Sequence, residues 1–318
     1  MRTRQDPAGR RPFAVQQRRL ALATGLNAAI VVAQAVAGVA AGSLGLLADA
    51  GHNLADVAAV ALALLAVRLA RRAPAGSRTY GGLRWPVLAA QANAAGLLVV
   101  TALLTAEAIR RLAHPQPVAG GVVVVVALAG LAVNAVAALA VHERGADLNT
   151  RAAAAHLTSD AVVSAGVAVA GAVILATGGA YWLDPAVSLA IGVVIGAQGV
   201  RLLRQSSRVL LEQAPPGIDL DQLREQVVAV AGVTGVHDVH VWSVSDTLHA
   251  ASGHLELAGH PTLEEARQIS DTVKRVLAER FAITHATLES ECEPCAPGGE
   301  PCEATEASAA PAPSAHRH

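Results

Sequence analysis

Two stretches of this 318-residue chain carry the same metal-competent side chains at the same spacing: His52 and Asp56 in AlaGlyHisAsnLeuAlaAsp, His156 and Asp160 in AlaHisLeuThrSerAsp. A separation of four sets each His over its Asp on one helical face, so each helix offers an imidazole nitrogen and a carboxylate oxygen to the same neighbour. Two imidazoles and two carboxylates form an N2O2 set that suits tetrahedral Zn²⁺, whose bonds to such donors are ~2.0–2.2 Å. A single His-x-x-x-Asp reads equally well as a buried pair that stabilises a bundle; duplication favours the ligand reading. Asp49, one turn before His52, reads either as an outer-sphere or gating carboxylate or as a group snorkelling near the end of its span. Asn27, Gln34, Asn93 and Asn134 read as interhelical hydrogen-bonding groups.

The elements that must position these groups are membrane helices. The chain is 53% hydrophobic and only 15% charged, against about a quarter charged in soluble domains. Six stretches are long enough to cross a hydrocarbon core of ~30 Å: Leu20–Ala41, Leu44–Val67, Pro86–Ala106, Val122–Val141, Ala153–Thr177 and Pro185–Leu203. Period-two alternation is absent, which excludes a barrel reading. The first stretch is longer than a signal-peptide h-region and further spans follow it, so it reads as a retained span. Sixteen Arg fall in the N-terminal segment, the second and fourth connections and the exit from the sixth span, against Arg110 and Arg111 on the other side. The positive-inside rule then places both termini in the cytoplasm. At ~1.5 Å per residue, His52 and Asp160 come to ~12 and ~14 Å from the outer face, Asp56 and His156 to ~18 and ~20 Å. All four meet in the middle of the membrane, where ionisable groups are functional by default.

After Arg208 the composition changes. Residues 1–208 hold 18 Arg against 8 carboxylates, and residues 209–318 hold 6 basic groups against 17. Aromatics make up 2% of the chain and no basic stripe is interleaved with them, so nucleic acid is excluded as a partner. Asp219 is a predicted N-cap, and Leu220, Leu223, Val227 and Val230 form a helical stripe. Val239–Val244 and His254–Leu257 read as strands, with Asp246 and Gly253 in the polar breaks around them. A helix from Thr262 to Arg280 with a capping-box start and a strand over Thr284–Ser290 follow. The order α-β-β-α-β suits two helices on one face of a three-stranded sheet. The organisation is thus an N-terminal segment (1–19), a six-helix membrane domain (20–208), a cytoplasmic α/β domain (209–291) and a disordered tail (292–318) holding all three Cys, which excludes a disulfide framework.

Several motifs together resemble the cation diffusion facilitator family: SerLeuGlyLeuLeuAlaAspAlaGlyHisAsnLeuAlaAsp, ThrTyrGly-x-x-Arg at Thr79–Arg84, AlaHisLeuThrSerAsp, TrpLeuAspPro at Trp182–Pro185 and GlyValHisAspValHisValTrp at Gly235–Trp242. The resemblance covers roughly residues 15–292. It implies a homodimer of six-span protomers, each with a ferredoxin-like cytoplasmic domain, exporting divalent metal in exchange for protons. His rather than Asp at position 52 resembles the zinc-exporting branches. No cofactor is implied; Zn²⁺ enters as the transported ion and as a candidate regulatory ion. Trp85 stands near a position where relatives often carry an acidic residue. The connection Arg68–Arg84 contains no His, Asp, Glu or Cys, so no loop metal site is expected there.

In the cytoplasmic domain, His237 and His254 fall where the family often places metal ligands, with Glu289 or Glu291 on the last strand and Cys292 and Cys295 beyond it. Strand alternation turns His254 and Glu256 away from Leu255 and Leu257, and His285 and Glu289 away from Leu288, giving a polar face that could gather ligands. His237 and His240 differ in parity, so a regular strand sends them to opposite faces; His240 reads equally as a ligand or a solvated histidine. His249, His260, His316 and His318 read as solvated. Two other classes stay open beside transport, an intramembrane metalloenzyme and a non-transporting metal sensor or subunit. Neither His-Glu-x-x-His nor Gly-x-Ser-x-Gly is present to support a hydrolase.

Overall fold

The computed structural model describes residues 25, 28–141 and 148–292. Apolar runs of this length satisfy their backbone only as helices in lipid, and the chain forms α1 (Ala28–Ala41), α2 (Leu44–Ala70), α3 (Trp85–Ala113), α4 (Gly120–Val141), α5 (Leu148–Thr177) and α6 (Leu183–Leu210). Helices α2 to α6 run to 27, 29, 22, 30 and 28 residues. At ~1.5 Å per residue each exceeds a ~30 Å core. Among the described residues five helices are therefore long and apolar enough to cross a membrane, and the start of the first expected span, with Asn27, lies outside them. Helices extend past the expected spans where charged residues can leave the hydrocarbon. Glu107 on α3, for example, accepts from Arg110 Nη2 at 2.6 Å and Arg111 Nε at 2.8 Å.

Two compact units are present. In the membrane unit, α1 reverses into α2 through Gly42 at φ +68°, a left-handed turn that glycine adopts without penalty. Ser43 caps α2, and a carboxylate from far along the chain completes the cap. Leu44 N–H donates to Asp184 Oδ2 at 2.6 Å, Gly45 N–H to Asp184 Oδ1 at 3.2 Å, and the Ser43 hydroxyl to Oδ1. Asp184 also lies in the first turn of α6, so two helix N-termini share one anion. Small residues bring α4 against α5: a Cβ on Gly120 would stand 2.8 Å from the Gly171 carbonyl oxygen and 2.8 Å from Leu175 N. Leu46, Val123, Val167, Ile174, Ile191 and Ile195 fill the interior between helices.

The second unit takes residues 73–87 together with the chain from Ser207 onward. Within it, Arg84 Nη2 meets Glu212 Oε1 at 2.7 Å in an exposed pair. Helix α7 (Leu220–Val228), strands β1 (Val233–Ser243) and β2 (His249–Leu257), helix α8 (Leu263–Phe281) and strand β3 (Ile283–Glu291) follow in the expected α-β-β-α-β order. Strand β2 is central, antiparallel to β1 and parallel to β3. Leu223, Val227, Val241, Leu255, Val273, Leu277 and Ile283 form the core between helices and sheet. Asp219 caps α7 through bonds from Asp221 N and Gln222 N. Thr262 and Glu265 form the capping box of α8, and the bonds Thr262 donates hold the Glu265 carboxyl below the usual carboxylate range.

Both first strands are longer than their apolar runs predict. Gly253 lies inside β2, paired with Leu288, instead of in a polar break. Strand β1 begins six residues earlier than expected, because Thr234, His237 and Asp238 pair or bulge despite their polarity. Asp238 sits at φ +50° in a register shift between His237 and His240. This bulge adds a residue and resets the side-chain alternation, so the regular-strand expectation for His237 and His240 does not hold.

Candidate metal centre

The two His-x-x-x-Asp motifs converge. His52 Nε2 lies 3.1 Å from Asp160 Oδ1 and 3.9 Å from Asp56 Oδ2, while His156 Nε2 lies 3.3 Å from Asp56 Oδ2 and 3.7 Å from Asp160 Oδ2. A tetrahedron with bonds of ~2.1 Å has edges of ~3.4 Å, within the spread of these separations. His52, Asp56 and Asp160 each offer one ligand atom within 4.8 Å of the others. His156 reaches both carboxylates, but its ring centroid stands 6.0 Å from that of His52. Exposure follows the same division: the side chains of Asp160 and His52 are 3% and 7% exposed, those of Asp56 and His156 31% and 46%. The accessible pair lies toward the C-terminal end of α2 and the N-terminal end of α5, so the site opens along one direction.

One carboxylate oxygen in this cluster meets imidazole nitrogens without hydrogen-bond geometry. Asp56 Oδ2 is buried and has no hydrogen-bond partner among the described residues, although two imidazole nitrogens flank it. A buried carboxylate oxygen without a donor costs free energy unless something positive meets it. A divalent cation held by the four side chains would meet this oxygen, and the donor set matches the preferences of Zn²⁺. First-row affinities overlap and Cd²⁺, larger and softer than Zn²⁺, takes the same ligand types, so site geometry would have to select among Zn²⁺, Cd²⁺, Co²⁺ and Fe²⁺.

Asp49 does not snorkel. It is fully buried, with hydrogen bonds from Gln34 on α1, Asn53 on α2 and Ser164 on α5. Gln34 thus makes the interhelical bond expected of it. Asn134 is buried on α4, yet its amide nitrogen has no partner among the described residues, contrary to that expectation. Ser164 is an ordinary small residue in an apolar helix, whereas Asn53, an amide inside a span, carries the same signal as Gln34 and was missed.

A second cluster forms on the sheet of the other unit. His254 Nδ1 lies 2.6 Å from Glu291 Oε1, His237 Nε2 3.4 Å from Glu291 Oε2, and the two rings are 5.1 Å apart. His237, His254 and Glu291 each offer one ligand atom within 4.8 Å of the others. Glu289 is more distant, 3.9 Å from His254 and largely exposed, and Glu256 lies 3.2 Å from His237 Nδ1. The bulge brings Asp238, which sequence reasoning missed, to 3.7 Å from His254 and 2.9 Å from His240. Only an interruption of strand alternation could have flagged it. Cys292 is exposed at the end of β3, and Cys295 lies outside the described residues.

Comparison with known proteins covers most of the chain. A family model described as "Cation efflux transmembrane domain" matches residues 20–211, and the ZT_dimer model, described as "Cation efflux protein, cytoplasmic domain", matches residues 215–293. The zinc transporter ZitB of Escherichia coli is 38% identical over 287 residues, covering 87% of this chain and 88% of that one. The metal cation efflux system protein CzcD of Cupriavidus metallidurans is 34% identical over 88% of each chain. A protein of Bacillus velezensis named "Cadmium, cobalt and zinc/H(+)-K(+) antiporter" is 32% identical over 82% of this chain and 84% of its own length. Since the transmembrane model alone spans more than half of the sequence, this multi-pass membrane protein belongs to the cation efflux family, the cation diffusion facilitators.

Proposed function

We propose that this protein exports divalent metal, foremost Zn²⁺, from the bacterial cytoplasm in exchange for protons, by alternating access and as a homodimer. The observation that carries the reading is the meeting of His52, Asp56 and Asp160, with His156 at their accessible edge, midway along two apolar helices. Metal requires neutral imidazole and ionised carboxylate, so its arrival displaces protons and protonation expels it. A site of this chemistry that faces the two compartments in turn links outward metal movement to inward proton movement. By the positive-inside reading, the direction in which Asp56 and His156 are accessible is the cytoplasmic one, as metal capture requires. The names of the zinc transporter and antiporter relatives support the same ion and an exchange that includes protons, and the ZT_dimer match supports pairing of protomers.

The test is zinc uptake by purified protein in liposomes, supplied with Zn²⁺ on the cytoplasmic face. An acid interior should accelerate uptake and an ionophore that collapses the pH difference should slow it, with competing Cd²⁺ and Co²⁺ ranking the ions. Uptake indifferent to the pH difference removes the proton coupling. Absence of flux favours a sensor or subunit whose partner carries the ion.

His237, His254 and Glu291 support a second, regulatory cation site in the cytoplasmic domain. Equilibrium binding to the full-length protein should saturate at two Zn²⁺ per protomer, and His254→Ala should remove one of them while His52→Ala removes the other. Unchanged stoichiometry in His254→Ala would set this site aside.

A further inference from the structure

One turn from the quartet lies a polar node that ion binding leaves unused. Three side chains donate to Asp49: Gln34 Nε2 at 2.6 Å and Ser164 Oγ at 2.9 Å meet Oδ2, and Asn53 Nδ2 at 3.2 Å meets Oδ1. A carboxylate so supplied has little left to offer a cation, and acts as a tie between the helices that bring the donors. Helix α4 takes part by omission. A Cβ on Gly130 would stand 2.8 Å from Gln34 Nε2 and 3.4 Å from Ser164 Oγ, so only glycine lets α4 close over the node without pushing it. Asp49 therefore joins α1, α2 and α5, with Gly130 of α4 packed against two of its donors.

The register of that tie is what connects it to the metal centre. Along α2 the order is Asp49, His52, Asp56; their partners on α5 are Ser164, Asp160 and His156, in descending order. The Asp49–Ser164 bond is thus the third rung of an antiparallel ladder whose other two rungs join the proposed ligands. A one-residue slip of α5 would rotate its groups by ~100° and part all three rungs together. We infer that Asp49, acting through Ser164 and Gln34, is a positioning residue that fixes α2 against α5 so that His52 and Asp56 confront Asp160 and His156. The inference rests on the export reading above.

Ser164→Ala removes one rung with no change of charge, and Gly130→Ala displaces Gln34 while leaving Asp49 and Ser164 in place. In proteoliposomes each should raise KM for Zn²⁺ about tenfold, the lower end of what outer-sphere changes around metals cost, and alter the Zn²⁺/Cd²⁺ preference. Vmax and the thermal midpoint should stay close to those of the unaltered protein, whereas a merely structural role would lower both and leave KM alone. Asp49→Ala should do at least as much, and adding Ser164→Ala to it should bring little further loss, because the bond that Ser164 donates is already gone. Unaltered KM and ion preference in both Ser164→Ala and Gly130→Ala, or losses that add in full in the double variant, overturn the inference. His52→Ala in the same vesicles separates the two readings, since unimpaired transport by that variant defeats the export reading itself.

Discussion

Replacing Asp160 with Asn should reduce zinc uptake by about 100-fold or more while the protein still folds and inserts. Asn preserves the shape and one oxygen, so packing at this 3%-exposed position is kept. Its effect is on charge. Two carboxylates neutralise a divalent cation, and with one gone the bound ion leaves a net positive charge inside the bilayer, where even ~3 kcal/mol of uncompensated cost is a factor of ~100 in occupancy. Asp160 also addresses both imidazoles, one with each oxygen, so an amide there turns a donor toward at least one of them. His156→Ala should be less severe, because the trio of His52, Asp56 and Asp160 survives it. Uptake in everted vesicles, normalised to protein inserted, measures both. Near-normal flux in Asp160→Asn would remove the quartet from the mechanism.

The largest expected loss of stability belongs to a residue that touches no ion. Asp184→Ala would leave the Ser43 hydroxyl and the N–H groups of Leu44 and Gly45 without their acceptor in a position only 2% exposed. Loss of a helix cap costs ~1 kcal/mol, and abandoned donors at a buried charged acceptor add to that. A destabilisation of about 3 kcal/mol is expected, with a clear drop in thermal midpoint in detergent and accelerated proteolysis. Asp184→Asn, which keeps one oxygen, should fall between. An unchanged midpoint in Asp184→Ala would mean that water or lipid headgroups replace this cap at no cost.

Period and depth made the candidate metal centre legible. The spacing of four in two helices named its residues, and the depth estimates paired His52 with Asp160 and Asp56 with His156, the pairs that lie 3.1 and 3.3 Å apart. The capping residues Asp219 and Thr262 were equally plain, because a cap and the helix it starts are neighbours in sequence. What escaped depends on distant partners. Asp184 caps a helix that begins 140 residues earlier, and Ser164 looks like any small residue of an apolar helix until Asp49 is seen beside it. Polarity misled the reading of β1, since Thr234, His237 and Asp238 resemble a loop when counted singly and become a bulged strand only against β2. Asp238 in a left-handed conformation is a tertiary fact that no local propensity announces.

The two accessible members of the quartet, Asp56 and His156, stand on different helices. On the proposed export reading, an incoming ion would be stapled to α2 and α5 from its first contact, and neither helix could carry it away alone. Cargo and joint would become the same object, so the movement that delivers the ion would have to move that helical pair as one piece.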